Sequence, residues 1–384
     1  MTDLLKTPLS DWHVAYGAKM AEFAGYNMPI NYPTGALKEI RAVRENAGLF
    51  DISHMRPITV SGRMARKFLN FIDTRDLSLL KAGDAKYGII CNEKGEPIDD
   101  VIVYMSPFSE EGKEIFLVIA NASNGTRVFE HLLNVKKIYR ILNADVEIID
   151  GLGECGFISL QGPKAEVILK EAIYSSRAIP QKYYSCSYSL LFMYPALVTK
   201  TGYTGELGFE ILCPKEYTIE IWTKLLGAGE SQGLIPCGLA ARDTLRLEAG
   251  MPLFGHELDK DHDPVTAGLG RYVDFEKHYF LGKPTLEKVR DGKSSKHREF
   301  FYAFEMPKGR VPRHGDLILS KFDGNPIEIG KLTSAGYSPT LEKNIAMGYS
   351  IFELGINAEV FIEIGGKLYP ATVTKLPFYK STKK

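Results

Sequence analysis

The chain has 384 residues, 45% of them hydrophobic and 24% charged, and its 47 basic residues balance 47 acidic ones to a formal net charge of zero. At roughly 150 residues per domain this length accommodates two or three folded units; the composition is that of a globular protein with a sizeable core, and the balanced charge excludes a global field favouring nucleic acid or an anionic membrane. The amino terminus carries no apolar signal core, no run reaches transmembrane length, and five scattered cysteines without a Cys-x-x-Cys spacing read as reduced thiols in a cytoplasmic setting, with neither a disulfide framework nor a metal site.

In chain order, residues 36–47 predict a helix leading into Gly-Leu-Phe-Asp-Ile-Ser-His-Met at 48–55. His54 follows Asp51 and Ser53, but no Gly-x-Ser-x-Gly nucleophile elbow accompanies them, so a Ser-His-Asp triad has no support. Beside Met55, His54 reads as a satisfied packing residue. From 57 to 150 short β-rich runs alternate with helical stretches at 62–71 and 124–134, and 145–220 repeats the mixture. This suggests an α+β body with antiparallel strands.

Within that body a turn at 94–97 precedes a strand that begins near Ile98. Period-two geometry sends Asp99 and Asp100 to opposite faces, Asp100 with Ile102 and Tyr104, Asp99 with Val101, Val103 and Met105. Such an aspartate either orients and stabilises a cationic reacting centre or accepts backbone N–H bonds beside the turn, and the residues alone leave both readings open. Gly151–Gly156 matches Gly-x-Gly-x-x-Gly after a strand-like run. A dinucleotide site needs a helix to open at the third glycine, yet a second strand-like run comes next and a helix is expected only near Pro163, so a turn between strands is the better account. Tyr183, Tyr184 and Tyr188 suit either stacking on a planar ligand or burial with a bonded hydroxyl.

The most informative pair of runs lies at 201–210 and 238–250. In the first, Gly202, Gly205 and Gly208 would let a backbone approach a ligand, and an extended end would put Glu206, Gly208 and Glu210 on one face and Leu207, Phe209 and Ile211 on the other. The second reads as a helix closed by Gly250, with Arg242 and Arg246 one turn apart. A carboxylate and a guanidinium presented together suit a ligand carrying an N–H donor edge and an acidic tail. His256 and His262 lack the spacing of a zinc motif. The charged, small-residue stretch at 288–297 reads as a linker, dividing a body at 1–287, made of two α+β lobes, from 298–384. There, strand-like runs at 300–304, 327–332, 346–351, 358–364 and 371–376 suggest a small β-barrel or sandwich.

Taken together, the runs at 7–9, 21–29, 48–55, 98–104, 160–165, 201–210, 237–257, 337–341 and 375–379 resemble the aminomethyltransferase, or T-protein, family of the glycine cleavage system, in order and over nearly the whole chain. The resemblance implies a three-lobed, cloverleaf-like α+β fold around a central folate channel, with a C-terminal β-barrel-like domain. It implies transfer of an aminomethyl group from the lipoyl arm of H-protein to tetrahydrofolate, with release of ammonia and formation of 5,10-methylenetetrahydrofolate. Lipoylated H-protein and folate would be the partners, tetrahydrofolate serving as acceptor substrate. Asp100 matches the family's catalytic carboxylate, stabilising the iminium-like centre as ammonia leaves. Glu210 matches the residue that grips the pterin's amino-pyrimidine edge, Arg242 a folate-contacting arginine, and Tyr379 a ligand-binding tyrosine near the C-terminus. Tyr87, Asn121, Tyr183 and Tyr203 match pocket-lining positions.

Departures from the family pattern fall at Arg56, Pro57, Glu96, Pro97, Leu207, Thr266 and Arg271. They bear on the donor side more than on folate, which keeps in view a tetrahydrofolate-dependent demethylase of a small methylated substrate. A non-catalytic folate-binding protein of iron–sulfur cluster maturation is a third reading. The cysteine-bearing signature of those proteins is missing around Phe280, where this chain reads Leu-Gly-Lys-Pro-Thr-Leu.

Overall fold

The computed structural model describes residues 4–109, 112–294 and 299–382. Three sheets, each with its own apolar core, build three lobes. The first is a five-stranded antiparallel sheet in the spatial order Ala85–Cys91, Pro97–Met105, Glu114–Ala120, Arg56–Gly62, Glu147–Asp150. Its rear face packs on the helices Ala65–Ile72 and Gly125–Ile138 through Val101, Val103, Phe116, Phe68 and Leu132. The second is six-stranded, in the order Cys186–Leu191, Tyr194–Thr199, Gly208–Pro214, Cys155–Gln161, Ala47–Asp51, Leu234–Pro236. It is antiparallel except for the last strand, which runs parallel to Ala47–Asp51. Helices Ala165–Ala172 and Thr218–Gly229 cover its core around Trp222 and Phe209.

The third lobe is a closed six-stranded barrel of Phe300–Met306, Leu317–Phe322, Asn325–Ser338, Lys343–Ser350, Glu359–Ile364 and Lys367–Thr374. Closure leaves no free sheet edge. The strand Leu317–Phe322 carries no sequence signal as clear as its neighbours', because only Ile318 and Leu319 are buried. The expected linker at 288–297 begins inside the helix Lys283–Arg290, and residues 295–297 of it lie outside the described residues.

Gly151–Gly156 is a turn, as expected, and it does more than join neighbours: Glu147–Asp150 closes the first sheet and Cys155–Gln161 enters the second. The next helix starts at Ala165. The lobes meet at the bridge of Asp84 with Ser185, reinforced by Ala85 N–H donating to the Tyr184 carbonyl at 2.7 Å. Helix Leu239–Glu248 stands at the junction of all three. Gly238 opens it where a Cβ would lie 2.3 Å from the Ile30 carbonyl oxygen, and Glu39 accepts the Gly238 N–H at 2.9 Å. Gly250 lies just past its end at φ +64°, the left-handed conformation that closes helices. Among the described residues no helix is long and apolar enough to cross a membrane, and no three or more His, Cys, Asp or Glu groups gather as a metal site.

Candidate active site

A cavity of about 260 Å³ opens between the first two lobes and the helix Leu239–Glu248. Strand register builds its first wall. Ile89 pairs with Asp100, Tyr87 with Ile102, and Ile102 with Ile119, so Tyr87, Asp100, Ile102 and Ile119 share the face turned to the cavity, with Asn121 just beyond the last strand. Asp99 takes the other face and is fully buried there. The alternation expected from the sequence therefore holds. Asp99 is the structural aspartate, accepting the Asn121 N–H at 2.8 Å and side-chain amides from Asn121 and Asn124 at 2.9 Å each. Asp100 faces the cavity, accepting from the Tyr87 hydroxyl and the Asn121 amide, both at 2.9 Å.

Burial pushes both carboxyls above the ordinary range. The charge of Asp100 adds to the shift at Asp99, while the bonds from Tyr87 and Asn121 hold Asp100 down. The hydrogen-bonded frame fixes the Asp100 carboxylate in an enclosed site, where charge acts strongly on a developing cation.

The second lobe supplies Glu210, paired in register with Thr199 and Ser159. Thr201 Oγ donates to Glu210 Oε2 at 2.6 Å and is itself held by Thr199 at 2.6 Å and Tyr104 at 3.0 Å. Among the described residues this is the only hydrogen bond that Glu210 receives, and burial raises its carboxyl against the opposing pull of Thr201 and Arg242. Arg242, on the helix, lies with its guanidinium carbon 4.9 Å from the Tyr203 ring centre. Its side chain forms no ion pair of contact length among the described residues. One turn on, Arg246 points the other way, to Glu257 at 3.1 Å and Ser334 at 2.8 Å.

Reading 201–210 as an extended end needs correction. The strand begins only at Gly208, and Gly205 turns the chain at φ +79°. Glu206 therefore leaves the face of Glu210 and binds Arg44 at 3.0 Å and Ser381 at 2.7 Å. Gly202 and Gly208 make room for a neighbouring side chain, since a Cβ at either would lie within 2.2 Å of Gln161 Oε1. Gly202 also lines the cavity.

Of the eight residues singled out by sequence, six meet at the cavity: Tyr87, Asp100, Asn121, Tyr203, Glu210 and Arg242. Two do not line it. Tyr183 lies 43% exposed beside Lys200, and its neighbour Tyr184, at φ +56°, turns to the cavity instead. Tyr379 packs 4.0 Å from the guanidinium of Arg44, its N–H donating to the Glu248 carbonyl at 2.7 Å, so it belongs to the seam between the lobes. The cavity adds Phe23, His54, Met55, Arg271 and Tyr272, none of which was among those eight. The Ser-His-Met run was the available signal for His54 and Met55, the run at 21–29 for Phe23 at the end of the strand Lys19–Phe23, and the departure at Arg271 for that residue; Tyr272, beside it in the short 3-10 helix Gly270–Tyr272, carried no signal.

The departures from the family pattern sort cleanly. Arg56 pairs with Asp150 and packs where Gly125 leaves room, Glu96 binds Asn92 at 2.7 Å, Leu207 packs on the second core, and Thr266 donates to Asp263 at 2.7 Å. Pro57 and Pro97 occupy strand positions. Arg271 is the only one of the seven that lines the cavity.

Residues 9–277 match the GCVT N-terminal domain, and residues 301–380 match the glycine cleavage T-protein C-terminal barrel domain. The chain is 40% identical to the aminomethyltransferase of Streptomyces coelicolor over 385 aligned residues, covering 100% of this chain and 99% of that protein. It is 38% identical to that of Bacillus mycoides over 387, covering both in full. The crystal structure of the glycine cleavage system aminomethyltransferase T from Bartonella henselae superposes with a TM-score of 0.85 at 33% identity, covering 98% of this chain and 99% of that one. Fold, both domain matches and full-length identity agree, and the chain belongs to the glycine cleavage T-protein family.

Proposed function

We propose that this aminomethyltransferase transfers the one-carbon unit of an aminomethyl-lipoyl H-protein to tetrahydrofolate, releasing ammonia and forming 5,10-methylenetetrahydrofolate. The observation that carries the reading is the placement of Asp100 on one wall of the cavity and of Glu210 with Arg242 on the other. The residues fit a folate. Among the described residues only Thr201 donates to the Glu210 carboxylate, which leaves capacity for two parallel N–H donors of an amino-pyrimidine edge. Among the same residues no carboxylate lies in ion-pair contact with Arg242, which suits it to meet an acceptor of the ligand.

With the heterocycle held there, Asp100 lies near the nitrogen that receives the carbon. In the net change the carbon forms two bonds, to the N5 and N10 nitrogens of folate, as its bonds to the amino nitrogen and the lipoyl sulfur break, and the two N–H protons of folate leave with ammonia and the thiol. Positive charge develops on the carbon in transit, and the ionised Asp100, fixed by Tyr87 and Asn121, stabilises it. The aromatic and aliphatic walls exclude water from that centre. That Arg271 alone among the departures reaches the cavity favours this donor over a small methylated compound.

A coupled assay with tetrahydrofolate and aminomethyl-loaded H-protein tests the reading. Ammonia and methylenetetrahydrofolate are expected in equal amounts. Folate binding without either product would remove the donor and turn attention to methylated substrates.

A further inference from the structure

Six buried side-chain nitrogen or oxygen atoms lack a hydrogen-bond partner among the described residues, on His54, Asp73, Arg75, His131, Trp222 and Asn344. Only His54 lines the cavity. It is 2% exposed, and its Nδ1 is sealed without a partner. The rings of Phe23 and Tyr26 clamp it edge-on, with centroids at 5.6 and 6.4 Å. The packing is complete while the hydrogen bonding is not, which overturns the expectation of a satisfied packing residue. Proteins leave few such atoms, because each costs about 1–3 kcal/mol.

Burial and the neighbouring charge of Arg242 hold the imidazole neutral, pulled down to about 4 against the weaker opposing pull of Asp51. A neutral ring has one donor and one acceptor nitrogen. An enclosed N–H without a partner is the rarer fault and a bare lone pair the more tolerated one, so the sealed Nδ1 is the lone pair and Nε2 carries the proton. Away from the Asp100 wall, the cavity lining then includes Glu210 as an acceptor and, as donors, charged Arg242 and neutral His54. That set complements a heterocycle with N–H donors along one edge and a carbonyl oxygen beside them.

We infer that His54 is a ligand-binding residue of this cavity, donating its Nε2–H to a carbonyl-type oxygen of the heterocycle that Glu210 and Arg242 hold. The inference rests on the folate reading above. Because His54 stays neutral, it adds a hydrogen bond without adding charge beside Arg242.

Calorimetric titration of tetrahydrofolate into the wild type, His54→Leu and His54→Gln tests it, with thermal unfolding of each protein in the absence of ligand. Leucine should weaken binding about tenfold, the effect of one lost hydrogen bond, and glutamine, which keeps a donor, should recover most of it. Without ligand, His54→Leu should unfold at the same temperature as the wild type or higher, because an unsatisfied polar atom has gone. In the wild type, the ¹⁵N resonances of His54 should shift on saturation with folate while Nε2 stays protonated. Equal affinity for His54→Leu, or imidazole resonances that do not move at saturation, would overturn the inference. So would a ligand-free His54→Leu of lowered stability with no recovery by glutamine, which would return the residue to packing. Failure of the wild type itself to bind folate is a separate outcome and removes the folate reading.

Discussion

Two buried charged clusters share the helix Leu239–Glu248, and they are finished in opposite ways. At its carboxyl end Glu248 accepts from Arg44 at 2.7 and 3.0 Å, from Ser338 at 2.6 Å and from Thr340 at 2.9 Å, while Arg44 also reaches Glu206 and the Thr204 carbonyl. Thr204 and Glu206 of the second lobe and Ser338 and Thr340 of the barrel side meet in this knot, and Tyr379 packs on Arg44. Nearer the amino end of the helix, Arg242 and Glu210 face the cavity, and among the described residues the Glu210 carboxylate receives a single hydrogen bond and Arg242 forms no contact ion pair. A buried charge is stable only when compensated. Where the protein compensates it fully, it is a joint, and where the protein leaves it short, the charge stays available to a ligand.

The largest effect that would sharpen this contrast is at the joint. Glu248→Ala removes one of the two carboxylates that hold the buried Arg44 guanidinium and leaves Ser338 and Thr340 without their acceptor, and it should lower unfolding stability by about 3 kcal/mol, read by denaturant titration. The folate affinity of the protein that remains folded should be unchanged; a loss of affinity without loss of stability would break the comparison. Next, Asp100→Asn should reduce turnover by about 10²–10³-fold while folate affinity and stability stay near wild type. Unchanged turnover in the coupled assay would remove Asp100 from the mechanism. Glu210→Ala should weaken folate binding by roughly 30-fold, the range of a charged hydrogen bond, with equal or higher thermal stability, and unaltered affinity would refute its role.

The smallest effect concerns pH. Asp100 acts as the ionised form, so activity is present above its carboxyl pKa and lost as pH falls through it. Burial has raised that pKa and the Tyr87 bond opposes the rise. Tyr87→Phe removes the opposing bond, so the acid limb of the pH–rate profile should move to higher pH. An unmoved limb would mean that another group controls it.

How far the sequence could be read depends on the range of each interaction. Alternation along Pro97–Met105 is local, and it placed Asp99 and Asp100 on the correct faces. The helix with Arg242 and Arg246 was legible from its spacing and terminal glycine, and the turn at Gly151–Gly156 from the strand-like residues on its carboxyl side. The failures came where the backbone leaves a regular element. Glu206 was grouped with Glu210 because a period-two pattern was carried back beyond Gly208, where the strand begins. Tyr183 was favoured over Tyr184, although a positive φ at Tyr184 decides which of two adjacent rings meets the cavity.

The sequence by itself determined the local periods that put Asp100 on one face of its strand and Arg242 on its helix, because side-chain direction follows from backbone period. Only the tertiary structure decided which faces meet. It joined the two lobes at Asp84 and Ser185, drew Tyr379 into the joint at Arg44, and sealed His54 between Phe23 and Tyr26 with a ring nitrogen unsatisfied. Those outcomes depend on contacts between residues far apart in the chain, for which no local pattern exists.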